Sequence, residues 1–342
     1  MPRMGRLHMA GGCYHVMGRG LERRFIFRQD DDKRDFLKRL EAGLAATGID
    51  CLAWALMSNH YHLLLRVGVT PLSGLMRKVL GGYATAYNRR HHRAGYVFQN
   101  RFKSILCDEE SYLLALVRYI HLNPLRAGLV AGLSELAQYE WTGHAALLGN
   151  RPVNWQQRDS ILARFGDTVQ SARHRYHEFV ALGVEGRTTV DYSGGGLIRS
   201  YGGWETVEKA RAEHERKIGD ERILGDSAFV EKALRHDCLQ VEARTRYARA
   251  GWDLDGLTDA VCDWFEVDCD RIVAKGRANN LSIAKAVICY LGAKELGLKS
   301  AEIAVRLALS QSGVSAATQR GHEYCQQHGL TINALEQSRL SG

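Results

Sequence analysis

The sequence predicts an α+β N-terminal region built on one antiparallel sheet with helices on one face, followed by an all-α C-terminal region. Three observations lead there. Short apolar runs alternate with amphipathic 3.6-residue stretches over residues 1–140, a polar stretch with glycine clusters fills 141–228, and helical periodicity dominates 229–342. At 342 residues the chain is long for a single core, so several units are expected.

The elements follow in order. Cys13 to Met17 is a short apolar run after Gly11-Gly12, and Gly18 to Arg28 is a basic loop carrying Arg19, Arg23 and Arg24. Asp30 to Asp32 can cap a helix whose apolar positions Phe36, Leu37, Leu40 and Leu44 keep helical spacing until Gly48. Cys51 to Met57 and His60 to Val67 read as strands joined at Ser58-Asn59, a pair suited to a tight turn. Pro71 opens a second helix with Leu72, Leu75, Met76, Val79, Tyr83 and Tyr87 on one side, ending in the run Asn88-Arg89-Arg90-His91-His92-Arg93. Phe102 to Cys107 is a fourth strand, and Glu109 to Asn123 a third helix that Pro124 is expected to end. Strand, helix, two strands, helix, strand, helix is the order of a ferredoxin-like sheet, in which the strands at 13–17 and 60–67 are central neighbours.

Residues 141–228 read as a connector with a helical patch at Ile161 to Val180, the glycines 194–196 and 202–203, and a charged helix around 205–216. Beyond it, Ser282 is expected to cap a helix through Leu296, Ser300 to begin another through Leu307, and a third to run from about Ser312 to Gln327. The last carries Ser312, Ser315, Thr318, Gln319 and Arg320, side chains able to reach base edges or phosphates.

Charge is unevenly placed. Residues 1–130 hold 20 Lys and Arg against 10 Asp and Glu, whereas residues 131–342 hold 26 against 28, so the excess of +8 sits in the N-terminal region. Such a basic field concentrates a polyanion and makes its binding salt-dependent. No segment reaches the roughly 18 apolar residues of a membrane span, and the start lacks the apolar stretch of a signal peptide. A cytoplasmic, nucleoid-associated protein without a membrane partner is therefore expected. The eight cysteines form no C-x-x-C pair and read as reduced, mostly buried thiols.

Two motifs carry chemistry. His60 and His62 lie two apart in a strand, so they share a face and can share one metal ion. Tyr119 and Asn123 lie four apart on a helix and also share a face. A metal beside a phenol can attack a phosphodiester, the metal drawing charge off the phosphate while the tyrosine oxygen becomes attached. His15, on a central strand, either faces this site from behind the ligands or packs in the core. His121, on another face of the helix, is not expected to be a ligand. Arg19, Arg23, Arg24, Arg89, Arg90, Arg93, Arg101 and Lys103 are candidates for phosphate contacts, with Tyr87, Tyr96 and Phe98 for stacking on unpaired bases.

The segments Tyr14-His15-Val16, Met57 to Leu64 (MSNHYHLL), Phe98 to Ser104 (FQNRFKS) and Arg118 to Gly128 (RYIHLNPLRAG) together resemble REP-associated tyrosine transposases, relatives of the HUH single-strand transposases. The resemblance spans most of residues 8–130. It implies a nuclease and strand transferase for single-stranded DNA at palindromic repeat hairpins, forming a 5′-phosphotyrosine and leaving a free 3′-hydroxyl. It maps Tyr119 as nucleophile and His60 and His62 as metal ligands. Asn123 takes the place where many single-strand insertion-sequence transposases carry glutamine. Mg²⁺ or Mn²⁺ is the implied cofactor, consistent with adding an amide oxygen and water to two imidazoles.

Ala260-Val261, Trp264-Phe265, Val267, Ile272, Lys275, Arg277 and the helix from Ala284 to Leu296 resemble the DNA-binding domain of the replication initiator DnaA. Ser310 to Ser315 departs from the initiator's Asp-His-Thr-Thr signature, so only a duplex-binding accessory role is expected there. The rival reading is a repeat-binding regulator that keeps the fold without cutting, and a third is a hydrolase that uses water. A monomer is favoured over a homodimer.

Overall fold

The computed structural model describes residues 5–185, 192, 218–274 and 280–341. The glycines at 194–196 and 202–203, the charged helix expected at 205–216, and Lys275 and Arg277 lie outside the described residues. The chain divides into two units, Met1–Leu234 and Arg235–Gly342, with the boundary inside the helix Ser227–Arg249.

The first unit begins with β1 (Cys13–Arg19), α1 (Asp30–Thr47), β2 (Asp50–Leu56), β3 (His60–Arg66), α2 (Leu72–Arg90), β4 (Lys103–Cys107) and α3 (Glu109–Arg126). The element order is the one the sequence implies. Five strands stand in the order β2-β3-β1-β4-β5, and β1 and β3 are indeed antiparallel central neighbours. The fifth strand, β5 (Ile223–Leu224), comes from the segment expected as connector and runs parallel to β4, which makes the sheet mixed.

Both faces of the sheet are covered. Phe36 and Leu40 of α1 and Leu75, Val79 and Tyr83 of α2 pack against Tyr14, Val16, Tyr61, Leu63 and Leu65. On the opposite face Leu116, Val117 and Ile120 of α3 meet Leu52, Ala53, Leu64 and Ile105. The expectation of helices on one face holds for α1 and α2 but not for α3. The reason is legible in β2, which is buried along almost its whole length and so needs cover on both sides.

After α3 come α4 (Leu133–Leu136), α5 (His144–Leu148), α6 (Arg158–Leu162) and α7 (Val169–Glu185). Leu147, Ile161, Tyr176 and Val180 from this segment complete the α3-side core, so it belongs to the N-terminal unit and does not merely link. Helices of four or five residues are too short to display a period, which hid them from sequence reading.

Pro124 lies inside α3, which continues to Arg126, so the proline does not end the helix. Proline lacks the N–H that would bond the carbonyl four residues back. Here that carbonyl, Ile120 O, receives the side-chain Nδ2 of Asn123 at 3.4 Å.

The second unit is helical: the remainder of α8 (Ser227–Arg249), α9 (Leu254–Trp264), a short turn at Cys269–Val273, α10 (Asn280–Lys294), α11 (Ser300–Arg306), α12 (Gln311–His328) and α13 (Ile332–Ser341). Ser282 falls within α10 and is not its cap. Ser310 caps α12, its side-chain oxygen accepting from Gly313 N at 2.9 Å. A Cβ at Gly321 would stand 1.9 Å from Ala286 O, so α10 and α12 meet at backbone contact. Among the described residues no helix is long and apolar enough to cross a membrane.

Candidate functional site

Strand alternation sends His15 and Met17 of β1, His60, His62 and Leu64 of β3, and Lys103 and Ile105 of β4 toward α3. The β1–β3 register pairs Arg19 with His60, Met17 with His62 and His15 with Leu64, so His15 and His62 are diagonal neighbours. Gly18 keeps that register open. A Cβ there would stand 2.5–2.7 Å from the Tyr61 ring, its partner across the ladder.

These side chains and α3 enclose a cleft of about 480 Å³ lined by Arg19, His60, His62, Arg101, Tyr119 and Asn123, with Lys103, Gln99 and Asn100 completing the wall. The two predicted motifs therefore meet. The Tyr119 ring stands edge-on to His62 at 5.8 Å and to His15 at 5.9 Å, and His60 and His62 are 5.3 Å apart between ring centres.

Each imidazole is oriented from behind. Asn59 Nδ2 donates to Arg23 O at 3.0 Å, which turns its Oδ1 toward His60 Nδ1 at 2.6 Å. His60 then donates from Nδ1 and keeps a lone pair on Nε2. The Arg23 carbonyl is aimed by a tight loop in which Glu22 and Arg23 take positive φ of 54° and 60°. His15 Nε2 and His62 Nδ1 are 2.8 Å apart. For His62 to offer Nε2 to a cation, it must donate from Nδ1 and His15 must accept. His15 thus packs against His62 and the Tyr119 ring, at the back of the cleft.

Burial, with Arg19 nearby, pulls the His60 pKa down to about 4. Burial pulls His62 well below its ordinary value, with His15, His60 and Arg19 adding to it. Both rings are neutral near pH 7, the form that binds a metal.

Asn123 is oriented by its own helix. Its Nδ2 donates to Tyr119 O at 2.9 Å and reaches Ile120 O, the carbonyl that Pro124 leaves without a backbone donor. Both acceptors are carbonyls, so Nδ2 faces them and Oδ1 is the atom turned to the cleft. Among the described residues no three His, Cys, Asp or Glu side chains converge in a metal-binding group. Two neutral imidazoles and an amide oxygen remain, a donor set that water can complete around Mg²⁺ or Mn²⁺.

Sequence reading missed Arg126, whose guanidinium lies 5.5 Å over the Tyr119 ring. The signal was available, because position 126 is two helical turns after 119 and on the same face as 123. It also missed Gln99 and Asn100 in the wall.

The predicted DNA contacts divide. Arg19, Arg101 and Lys103 line the cleft. Arg23 and Arg89 are exposed and do not line it, and Arg24 pairs with Glu22 at 2.5 Å. Arg90 pairs with the buried Asp32 at 2.6 Å, an internal role the sequence did not indicate. Arg93 donates to Tyr96 O and lies over Tyr87. Tyr87 is fully buried and cannot stack on a base, whereas Tyr96 is 83% exposed and Phe98 half-buried.

In the second unit Thr318 is buried and bonds Val314 O and Cys289 O, so its hydroxyl is not presented to nucleic acid. Ser315 bonds back to Gln311 O, Gln319 to Glu323, and Arg320 is exposed. The side chain of Ser312 lies outside the described residues.

No curated protein matches the chain closely. A solved structure of a REP-associated tyrosine transposase bound to a REP hairpin aligns at TM-score 0.38 and 16% identity, covering 45% of this chain and 91% of that one. Residues 9–123, the stretch from the approach to β1 through Asn123 of α3, match the family described as IS200-like transposases. Over the elements that build the cleft, the chain is thus similar to IS200-like transposases.

Proposed function

We propose that the chain is a metal-dependent single-strand DNA endonuclease and strand transferase that acts at palindromic repeat hairpins through a 5′-phosphotyrosine. The observation that carries this reading is the meeting of Tyr119 with His60, His62 and Asn123 in one cleft walled by Arg19, Arg101 and Lys103. The similarity of residues 9–123 to IS200-like transposases supports it.

Mg²⁺ or Mn²⁺ held by His60, His62 and Asn123 would draw charge off the scissile phosphate. The chain's own groups do the rest. Arg19, Arg101 and Lys103 hold the phosphodiester against the cleft floor. Tyr119 Oη loses its proton to solvent and attacks phosphorus; the P–O3′ bond breaks and the 3′ oxygen takes up a proton to leave as a hydroxyl. Arg126, over the Tyr119 ring, offsets negative charge that develops on the phenol. The bond to tyrosine conserves the energy of the phosphodiester, so a 3′-hydroxyl can reverse the step on another strand. The second unit serves as an accessory contact to duplex DNA, through Arg320 and its neighbours on α12.

Incubating hairpin-bearing single strands with the full chain and Mn²⁺ tests this directly. A covalent protein–DNA adduct that survives denaturation and is lost in Tyr119→Phe is expected. Binding without any adduct would overturn the reading in favour of a non-cleaving repeat regulator, and cleavage that persists in Tyr119→Phe would point to a hydrolase using water.

A further inference from the structure

The Tyr119 side chain is gripped from several directions. His62 and His15 meet its ring edge-on at 5.8 and 5.9 Å between ring centres, and the Arg126 guanidinium lies 5.5 Å over its face. A further ring comes from beyond α7. Tyr192, half-buried, stands edge-on to Tyr119 at 5.3 Å with the two planes at 82°, closer than either histidine. Edge-to-face geometry sets the positive rim of one ring on the negative face of the other, so it fixes orientation as well as distance.

Tyr192 is itself seated on α3. Its ring also stands edge-on to Tyr112 at 6.5 Å, and Tyr112 lies two helical turns before Tyr119 on the same face of that helix. α7 closes on α3 beside this face. A Cβ at Gly183 would stand 2.6 Å from Arg118 Cδ and 2.9 Å from Leu122 Cδ1, so the glycine lets the two helices meet next to Tyr119. Arg118 is bound to α7, its guanidinium 4.3 Å over the Phe179 ring and donating to Phe179 O at 3.3 Å. Burial raises the Tyr192 phenol above its ordinary pKa, with Arg118 and Arg126 acting against the rise, so near pH 7 it is a neutral ring.

We propose that Tyr192 is a positioning residue, whose ring holds the Tyr119 side chain in the rotamer that presents its hydroxyl to the cleft. The inference rests on the nuclease reading above. Tyr192 is not among the described residues that line the cleft, so it touches the Tyr119 ring without standing where a phosphodiester would lie. That separates holding from blocking. Its contacts with Tyr112 and Tyr119 run through the ring, which phenylalanine would preserve, so the Tyr192 hydroxyl is not the acting group. A tyrosine at the edge of a helix can turn about two side-chain torsions, and each rotamer that swings the hydroxyl away from phosphorus is lost to attack. Misplacing a reacting group by about 1 Å can cost about a hundredfold in rate. With His62, His15 and Arg126 still in place, loss of the Tyr192 ring should cost less, about tenfold.

The test compares Tyr192→Ala with Tyr192→Phe in the full chain. Single-turnover adduct formation with Mn²⁺ and saturating hairpin-bearing single strand should slow about tenfold in Tyr192→Ala and return to within about twofold of the parent in Tyr192→Phe. Affinity for the strand in fluorescence anisotropy, and for Mn²⁺ in calorimetry, should stay within about twofold in both, since the ring touches neither ligand. An unchanged rate in Tyr192→Ala would overturn the proposal, and a faster one would show that the ring obstructs. Equal slowing in Tyr192→Phe would move the role to the hydroxyl, and a parallel loss of strand affinity would reduce the contact to general scaffolding; either result overturns it. A second readout needs no chemistry: with 3-fluorotyrosine at position 119, the ¹⁹F resonance should move in Tyr192→Ala and return in Tyr192→Phe. A slower rate with an unmoved resonance would also refute the proposal. If the parent forms no adduct while the resonance responds, the nuclease reading fails and the ring contact stands. Normal adduct formation in both variants with an unmoved resonance does the reverse.

Discussion

Replacing His15 by leucine should weaken binding of Mn²⁺ at His60, His62 and Asn123 by about ten- to a hundredfold, the usual cost of removing the group that orients a ligating histidine. The 2.8 Å contact between His15 Nε2 and His62 Nδ1 is sealed from solvent, with His15 fully buried and His62 only 5% exposed. Water therefore cannot replace the lost acceptor. Without it, the His62 Nδ1–H stays unsatisfied at a cost of about 1–3 kcal/mol, or the ring moves its proton to Nε2 and surrenders the lone pair a metal needs. A tenfold to hundredfold loss corresponds to about 1.4–2.7 kcal/mol, within the same range. Titration calorimetry of the full chain with Mn²⁺ reads the affinity, and urea unfolding without metal separates it from damage to the sheet. His15→Gln, which restores an acceptor oxygen, should recover part of the loss. If His15→Leu bound Mn²⁺ within about twofold of the parent while keeping its fold, the tautomer argument would be refuted.

Four further outcomes are expected. Pro124→Ala restores a backbone donor to Ile120 O and so competes with Asn123 Nδ2; α3 should gain stability while Mn²⁺ affinity falls severalfold, both checked by the same two assays. Asp32 is raised by burial but lowered more by hydrogen bonds from His91, the backbone of Arg28 and Gln29, and Arg90, so its carboxyl lies below the usual range. With a folded pKa below the unfolded one, its contribution is present above about pH 4 and lost as pH falls through the folded value, so Asp32→Asn should cost about 3 kcal/mol at pH 7 in urea unfolding, with the gap to the parent closing in acid. Tyr176→Phe removes the hydroxyl that His121 Nδ1 and His144 Nδ1 share at 2.7 Å each, and should destabilise the first unit by about 2–3 kcal/mol without changing DNA specificity in anisotropy. Gly321→Ala forces a methyl against Ala286 O, so the second unit should unfold at lower temperature in calorimetry while adduct formation by the first persists.

The fold of residues 13–126 was legible because its elements are distinct in pattern, from the short apolar run of His60–Arg66 to the helical stripe of Leu72–Arg90. The site was legible for a related reason: both halves are local motifs, and period two and period 3.6 each fix which side chains share a face. What stayed hidden depends on partners far apart in sequence. Arg90 reads as a basic surface residue until Asp32, 58 positions earlier, is seen beside it. Thr318 reads as a polar contact until α10 covers it and Cys289 O comes within 3.5 Å of its hydroxyl. Part of the segment after α3 carried its apolar residues, among them Leu136, Leu147 and Ile161, on helices of four or five residues, too short to show a period, so their role in the core required the sheet they pack on.

The Asn-Pro pair at 123–124 links these levels. A sequence rule reads Pro124 as a helix stop, and the same missing N–H that motivates the rule leaves Ile120 O open. In α3 that carbonyl, together with Tyr119 O, takes the amide nitrogen of Asn123, which settles the direction of the amide oxygen. Asparagine is shorter than glutamine by one methylene, and a shorter side chain reaches less far into a cleft but is easier to hold. The backbone supplies that hold here. Burial near the sheet keeps His60 and His62 neutral, Asn59 Oδ1 meets His60 Nδ1, His15 Nε2 meets His62 Nδ1, and the carbonyl left by Pro124 takes the Asn123 amide, so each of the three proposed ligands is held by a neighbour outside the ligand set. A metal site arranged this way would lose affinity when the aiming residues change even though every proposed ligand remains, which is why His15 and Pro124 are more discriminating tests of the proposed metal site than the proposed ligands themselves.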